Sequence, residues 1–109
     1  MGDPFQEREK GFERKFELDQ ELEFRVRAHR DGLFGRWVAA KMGYSGASAA
    51  SYAVTLVRTT LEPAGEEGML AKVRSDLRAA NVGVTDGEIL REFRRAEIKA
   101  RADVLGPQR

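Results

Sequence analysis

The chain offers little with which to do covalent chemistry. It has one histidine and no cysteine, which excludes thiolate zinc sites, a disulfide framework and a cysteine nucleophile. His29 has Arg25, Val26, Gly32 and Leu33 at the helical offsets of three and four. None of these is a metal ligand, so His29 reads as a packing or surface residue. Carboxylates are plentiful, but no pair is marked out by an apolar setting. The runs Gly32-Leu33-Phe34-Gly35 and Gly43-Tyr44-Ser45-Gly46 lack the Lys-Ser/Thr that follows the glycines of a phosphate loop. Gly32 and Gly35 instead suit a close helix contact or a bend, at a propensity cost of about 1 kcal/mol each. Arg25, Arg27, Arg30 and Arg36 form a basic stretch without aromatics interleaved for base stacking, and read as a solvated or docking face. The sequence is therefore that of a non-enzyme, with no cofactor and no metal site expected.

The charge balance carries more information than any single residue. Across 109 residues, 19 Lys and Arg face 18 Asp and Glu, a formal net charge of +1. That argues against bulk nucleic-acid or acidic-membrane binding, which needs surplus cations. The neutrality is a cancellation. Residues 1–22 hold seven acids and four bases, whereas residues 23–41 hold two acids and five bases. No apolar run approaches the roughly 20 residues that span a bilayer, and no signal-peptide core follows the start.

Apolar residues recur at three and four, which sets the class as all-α. Breaks at Gly43-Tyr44-Ser45-Gly46, Glu62-Pro63-Ala64-Gly65 and Asn81-Val82-Gly83-Val84 divide the chain into helices over about 17–42, 46–62, 66–81 and 85–105. Residues 106–109 are a tail. The predicted stripes are Leu22, Val26, Leu33, Trp37 and Ala40; Ala50, Ala53, Val54, Val57 and Leu61; Met69, Val73, Leu77 and Ala80; and Ile89, Phe93, Ala96, Ala100 and Val104. Thr85-Asp86-Gly87-Glu88 reads as a capping box, and Asn81 as the left-handed residue that stops the third helix. Short connections favour antiparallel neighbours, hence a four-helix bundle over residues 17–105 with a flexible N-terminal segment over 1–16.

That first segment has its own stripe. Phe5, Phe12 and Phe16 fall within about 40° on a helical wheel, rotated by roughly 60–80° from the Leu22–Trp37 stripe. One straight helix therefore does not bury both stripes in one core. Two placements follow: the phenylalanines wrap back on the bundle after a bend, or they serve a partner. Glu9, Glu13 and Glu17 stack like charges at a cost of a few tenths of a kcal/mol per pair. Gly11 adds about 1 kcal/mol relative to alanine. Such a piece is expected to fray alone and to become an amphipathic helix in a partner's groove.

The residues Arg8-Glu9-Lys10-Gly11-Phe12-Glu13-Arg14-Lys15-Phe16, with Glu21-Leu22-Glu23-Phe24, Ala28-His29-Arg30 and Leu33-Phe34-Gly35-Arg36-Trp37-Val38-Ala39-Ala40, resemble the zeta subunit of alphaproteobacterial F-type ATP synthases. Lys72-Val73-Arg74-Ser75-Asp76-Leu77, Ala79-Ala80-Asn81-Val82 and the Thr85-Asp86 helix start extend the likeness. The resemblance implies an inhibitor of ATP hydrolysis whose N-terminal segment inserts at a catalytic interface between alpha and beta subunits, near gamma. It would block rotation in the hydrolytic direction while allowing synthesis. The matching positions are Glu7, Arg8, Glu9, Lys10, Phe12, Glu13, Arg14, Lys15 and Phe16, with Phe5 just ahead. The implied partner is the catalytic head of the synthase, reached by a chain that is monomeric when isolated. The implied location is cytoplasmic, peripheral on the inner membrane through the synthase, with no direct membrane insertion and no nucleic acid bound. Gly11 stands where the family commonly has alanine, and His29-Arg30-Asp31-Gly32 is less basic than the family's usual stretch. A reading from a different class is a helical adaptor that binds a protein or nucleic acid through residues 23–41.

Overall fold

A computed structural model describes the backbone of residues 4–106 and the side chains of residues 14–106. Four helices follow one another: α1 (Pro4–Lys41), α2 (Gly46–Thr60), α3 (Gly65–Ala79) and α4 (Asp86–Leu105). No strand occurs among the described residues. The chain is an all-α four-helix bundle. Its extents are 67 × 32 × 28 Å, the long dimension set by α1.

The helix ends have local causes. Pro4 opens α1, a position where its missing N–H costs nothing and its fixed φ already suits the helix. At the other end Gly43 takes φ 88°, and Tyr44 N–H donates to the Ala39 carbonyl at 2.9 Å. Asn81 does the same work for α3 at φ 59°. Val82 N–H reaches the Leu77 carbonyl at 2.9 Å and Asn81 N–H reaches Arg78 at 3.0 Å, the paired bonds of a Schellman motif. Val82 then packs against the core. At the start of α4 the Thr85 hydroxyl accepts from the Glu88 amide at 3.2 Å, which is the forward half of the expected capping box.

α1 is the axis on which the others pack. α2 and α4 both pack on α1, α4 antiparallel to it so that Glu23 meets Arg101 and Phe34 meets Phe93, while α3 packs chiefly on α2. Phe34 sits at the centre, edge-on to Phe93 with centroids 5.2 Å apart and stacked on Trp37 at 6.1 Å. Leu56, Met69, Val73, Leu77 and Ile89 complete the same cluster.

Two predicted stripes are displaced from the real core. In α1 the buried line is Val26, Arg30, Phe34 and Val38, while Leu22, Leu33 and Trp37 are half-buried and Ala40 is exposed. In α2 the buried residues are Ala49, Ala53 and Leu56, with Val54 and Leu61 turned to solvent. The α3 and α4 stripes match apart from exposed Ala80 and half-buried Val104.

Gly35 explains how closely α1 and α2 approach. A Cβ there would lie 2.7 Å from the Ala53 Cα and 3.2 Å from its Cβ, whereas one at Gly32 would meet nothing within 4 Å. Gly35→Ala is therefore expected to push two backbones apart at a cost of about 1–3 kcal/mol. Gly32→Ala is expected to stabilise by up to about 1 kcal/mol through helix propensity. Thermal melts of the two variants check this, and equal shifts in the same direction would contradict the packing.

Candidate functional site: the root and free end of the first helix

The bundle holds α1 only over part of its length. Every residue from Arg14 to Glu21 is exposed, and Leu22 is the first to be half-buried. The helix from Pro4 to Glu21 thus extends about 27 Å beyond the body at 1.5 Å per residue. Phe16 is 57% exposed on this stretch and Leu18 55%. α1 runs without interruption through residue 16, so Phe16 does not fold back on the bundle. Among the expected site residues, Arg14, Lys15 and Phe16 are all solvent-facing. The side chains of Phe5, Glu7, Arg8, Glu9, Lys10, Phe12 and Glu13 lie outside the described residues. The packing of α1 on the bundle begins at Leu22, where the acid-rich window of residues 1–22 gives way to the basic one.

The root of that free end is clamped by ions on α1 and α4. Glu23 receives two hydrogen bonds from Arg101, at 2.9 and 3.0 Å, a bidentate pair. The Arg101 bonds hold the Glu23 carboxyl below its usual range, and Glu23 in turn raises Arg101. Six residues further along α1, His29 Nε2 lies 2.8 Å from Asp103, which also accepts from Lys99 at 3.2 Å. His29 is a surface residue that joins two helices. Asp103 is held below the ordinary carboxylate range by His29 and then Lys99.

Below the clamp, Arg30 corrects the reading of the basic stretch. It is 5% exposed and so is not part of a solvated face. Its Nε donates to Asp31 at 3.0 Å and its Nη1 to Glu97 on α4 at 3.2 Å, with Glu66 of α3 at 3.9 Å. The guanidinium lies 4.4 Å from the centre of the Phe93 ring. Its Nη2 has no hydrogen-bond partner among the described residues. Asp31 is 1% exposed. Burial pushes its carboxyl up, against the opposing pull of the Thr60 hydroxyl and the Arg30 charge. What remains of the basic face is Arg25, paired with Glu21 at 3.2 Å, together with Arg27 and Arg36.

Among the described residues no group of three or more His, Asp or Glu is placed to hold a metal ion. No described helix is long and apolar enough to cross a membrane. The arrangement is a packed helical body from which the first half of α1 projects. A family model for ATPase inhibitor subunit zeta matches residues 1–103, nearly the whole chain.

The chain belongs to the ATPase inhibitor subunit zeta family.

That match takes in both the projecting half of α1 and the bundle that anchors it, so the zeta-family unit is the whole assembly. No individual curated protein and no solved structure matches it. The buried Arg30–Asp31 pair was not foreseen, because a charged dipeptide inside an apolar series looks like a break in the stripe. The signal that could have found it is the i,i+4 series Val26, Arg30, Phe34, Val38.

Two expectations about this zeta-family body follow. Arg30→Met strands the Asp31 carboxylate, and should destabilise by about 3–5 kcal/mol. Arg30→Met with Asp31→Leu removes both charges and should recover much of that loss in a denaturant titration; equal losses would mean that the pair is not coupled. Asp103 has a lowered folded-state pKa, so its stabilisation is present above the ordinary carboxylate pKa of about 4 and is lost as pH falls through the folded value. Asp103→Asn should lower the melting temperature at pH 7, and the difference should vanish near pH 2.

Proposed function

We propose that this chain inhibits ATP hydrolysis by an F-type ATP synthase. The projecting half of α1 enters a catalytic interface between alpha and beta subunits, near gamma, and blocks rotation in the hydrolytic direction. The observation that carries this reading is an uninterrupted helix that presents Phe16 and Leu18 to solvent beyond any contact with its own bundle. The face that carries Phe16 is the one that a partner's groove would cover. Phe5 and Phe12 fall on the same helical face as Phe16, and the cations and acids beside them set register against the subunits' charges.

State selection is the mechanism. An inhibitor that bound every rotational state equally would shift nothing; binding must favour the state in which the cleft is open to the helix. The partner is the catalytic head, built from alpha, beta and gamma subunits. This places the protein in the cytoplasm, peripheral on the inner membrane through that head. The chain acts by binding alone, so it needs no cofactor and performs no catalysis.

The test uses the cognate synthase. Deleting residues 1–16 is expected to abolish inhibition of ATP hydrolysis while the bundle keeps its melting temperature to within a few degrees. Phe12→Ala should weaken inhibition by about tenfold or more, the loss of roughly 1.5–3 kcal/mol of apolar burial. If the truncated protein still inhibits, the inhibitory element lies elsewhere in the chain.

A further inference from the structure

The two ion pairs that join α1 to α4 at the root of the projecting helix lean in opposite directions. Phe34 meets Phe93 and Arg30 meets Glu97, so a step back along α1 is a step forward along α4. Continued toward the free end, that register sets His29 level with Ile98 and Glu23 level with Val104. Neither residue pairs straight across. Glu23 takes Arg101, three residues nearer the middle of the bundle, about 4.5 Å at 1.5 Å per residue. His29 takes Asp103, five residues nearer the free end, about 7.5 Å on the same rise.

Both α4 partners are stayed from one turn behind. Arg101 also donates to Glu97 at 3.1 Å, and Lys99 donates to Asp103 at 3.2 Å. Glu97 in turn accepts from Arg30 at 3.2 Å, so the Arg101 arm ends on the buried centre. The four side chains of the two pairs are roughly two-fifths exposed, a setting in which an ion pair adds little to stability. What such pairs set is position. The Glu23–Arg101 attraction draws α1 into the bundle, and the His29–Asp103 attraction draws it out.

We infer that Glu23, Arg101, His29 and Asp103 form a crossed brace that fixes how far α1 projects. Packed helices shift along one another by about 1–2 Å in switching proteins. Here a slide in either direction lengthens one of the two arms. The four are positioning residues, and none has to touch a partner. The inference deepens the proposed function, on which its consequence for inhibition rests. The reach of the free helix decides whether its phenylalanines arrive at the depth of the groove that takes them.

The brace is tested on the free protein, where the outcome does not depend on the synthase. The chain has no cysteine, so Gln20→Cys and Arg91→Cys, both at exposed positions, carry one pair of nitroxide labels along the bundle axis. Pulsed electron paramagnetic resonance then gives the distance between α1 and α4 labels in the labelled parent and in variants of each arm. Glu23→Ala leaves the outward pull and should lengthen the mean separation by about 1 Å or more. His29→Ala leaves the inward pull and should shorten it by a similar amount. His29→Lys keeps a cation on that arm and should return the parental separation. Melting temperatures of all the variants should agree within a few degrees.

Shifts of the same sign, or none, overturn the brace. Opposite shifts support it, and inhibition of ATP hydrolysis by the cognate synthase is then compared without labels. Both alanine variants should weaken inhibition by about threefold, the scale of an exposed ion pair, while His29→Lys should not. Opposite shifts with undiminished inhibition overturn the link between reach and inhibition. Opposite shifts in a chain whose wild type does not inhibit uphold the brace and remove the proposed function instead.

Discussion

One guanidinium organises the bundle. Arg30 reaches Asp31 on its own helix, Glu97 on α4 and the vicinity of Glu66 on α3, with its flat face on Phe93. Only a planar, forked cation can hold two acids in different directions and still stack on a ring; a lysine ammonium would satisfy one of these. The arrangement is costly in isolation, because two charges have left water. Its value is geometric. It fixes the rotation of α1 against α3 and α4, and every side chain further along α1 inherits that setting.

The free end of α1 depends on this in a second way. A helix of its length and charge pattern would be marginal alone, since forming the first turn fixes many torsions for one hydrogen bond. In this chain that nucleus already exists. Residues from Leu22 onward are held by packing and by the Glu23–Arg101 pair, so helix extends outward from an established end. Only propagation is left to decide, and the Glu9–Glu13–Glu17 repulsion and Gly11 weaken it by about 1–2 kcal/mol in total. The Glu21–Arg25 pair at 3.2 Å reinforces the junction itself.

How much of this was legible in the sequence depends on which physical rule governed each element. The caps were readable because Asn81 and Thr85 act through their own backbone and side chain, with no need of distant partners. The α3 and α4 stripes were readable because nothing polar interrupts them. The α1 core was not, since Arg30 occupies a core position and partners from three other places in the chain make it tolerable there. In α2 the alanine-rich sequence offers two nearly equivalent faces, and the choice between Val54 and Leu56 is settled by where Gly35 lets the helices touch. Of the projecting part of α1, the helical class could be read; the point where its packing on the bundle begins could not. That point is set by Leu22 and Arg101, residues almost 80 positions apart in a chain of 109.

The proposed function requires that such a helix select one state of a rotating partner. Moving a two-state equilibrium from 1:99 to 99:1 takes about 5.5 kcal/mol of differential binding. Burying three phenylalanines supplies roughly 5–9 kcal/mol gross at about 1.5–3 kcal/mol each. Ordering a disordered segment would consume about 2–5 kcal/mol of that. A helix grown from a fixed root loses less on binding, so more of the apolar term is left to discriminate between states. A rigid root also sets direction: a helix clamped to its bundle resists being turned about its axis, whereas a segment on a loose tether would follow the partner's motion. In the proposed mechanism the Arg30 centre, remote from the projecting end, thereby bears on both the affinity and the mechanical effect of the helix that extends from it.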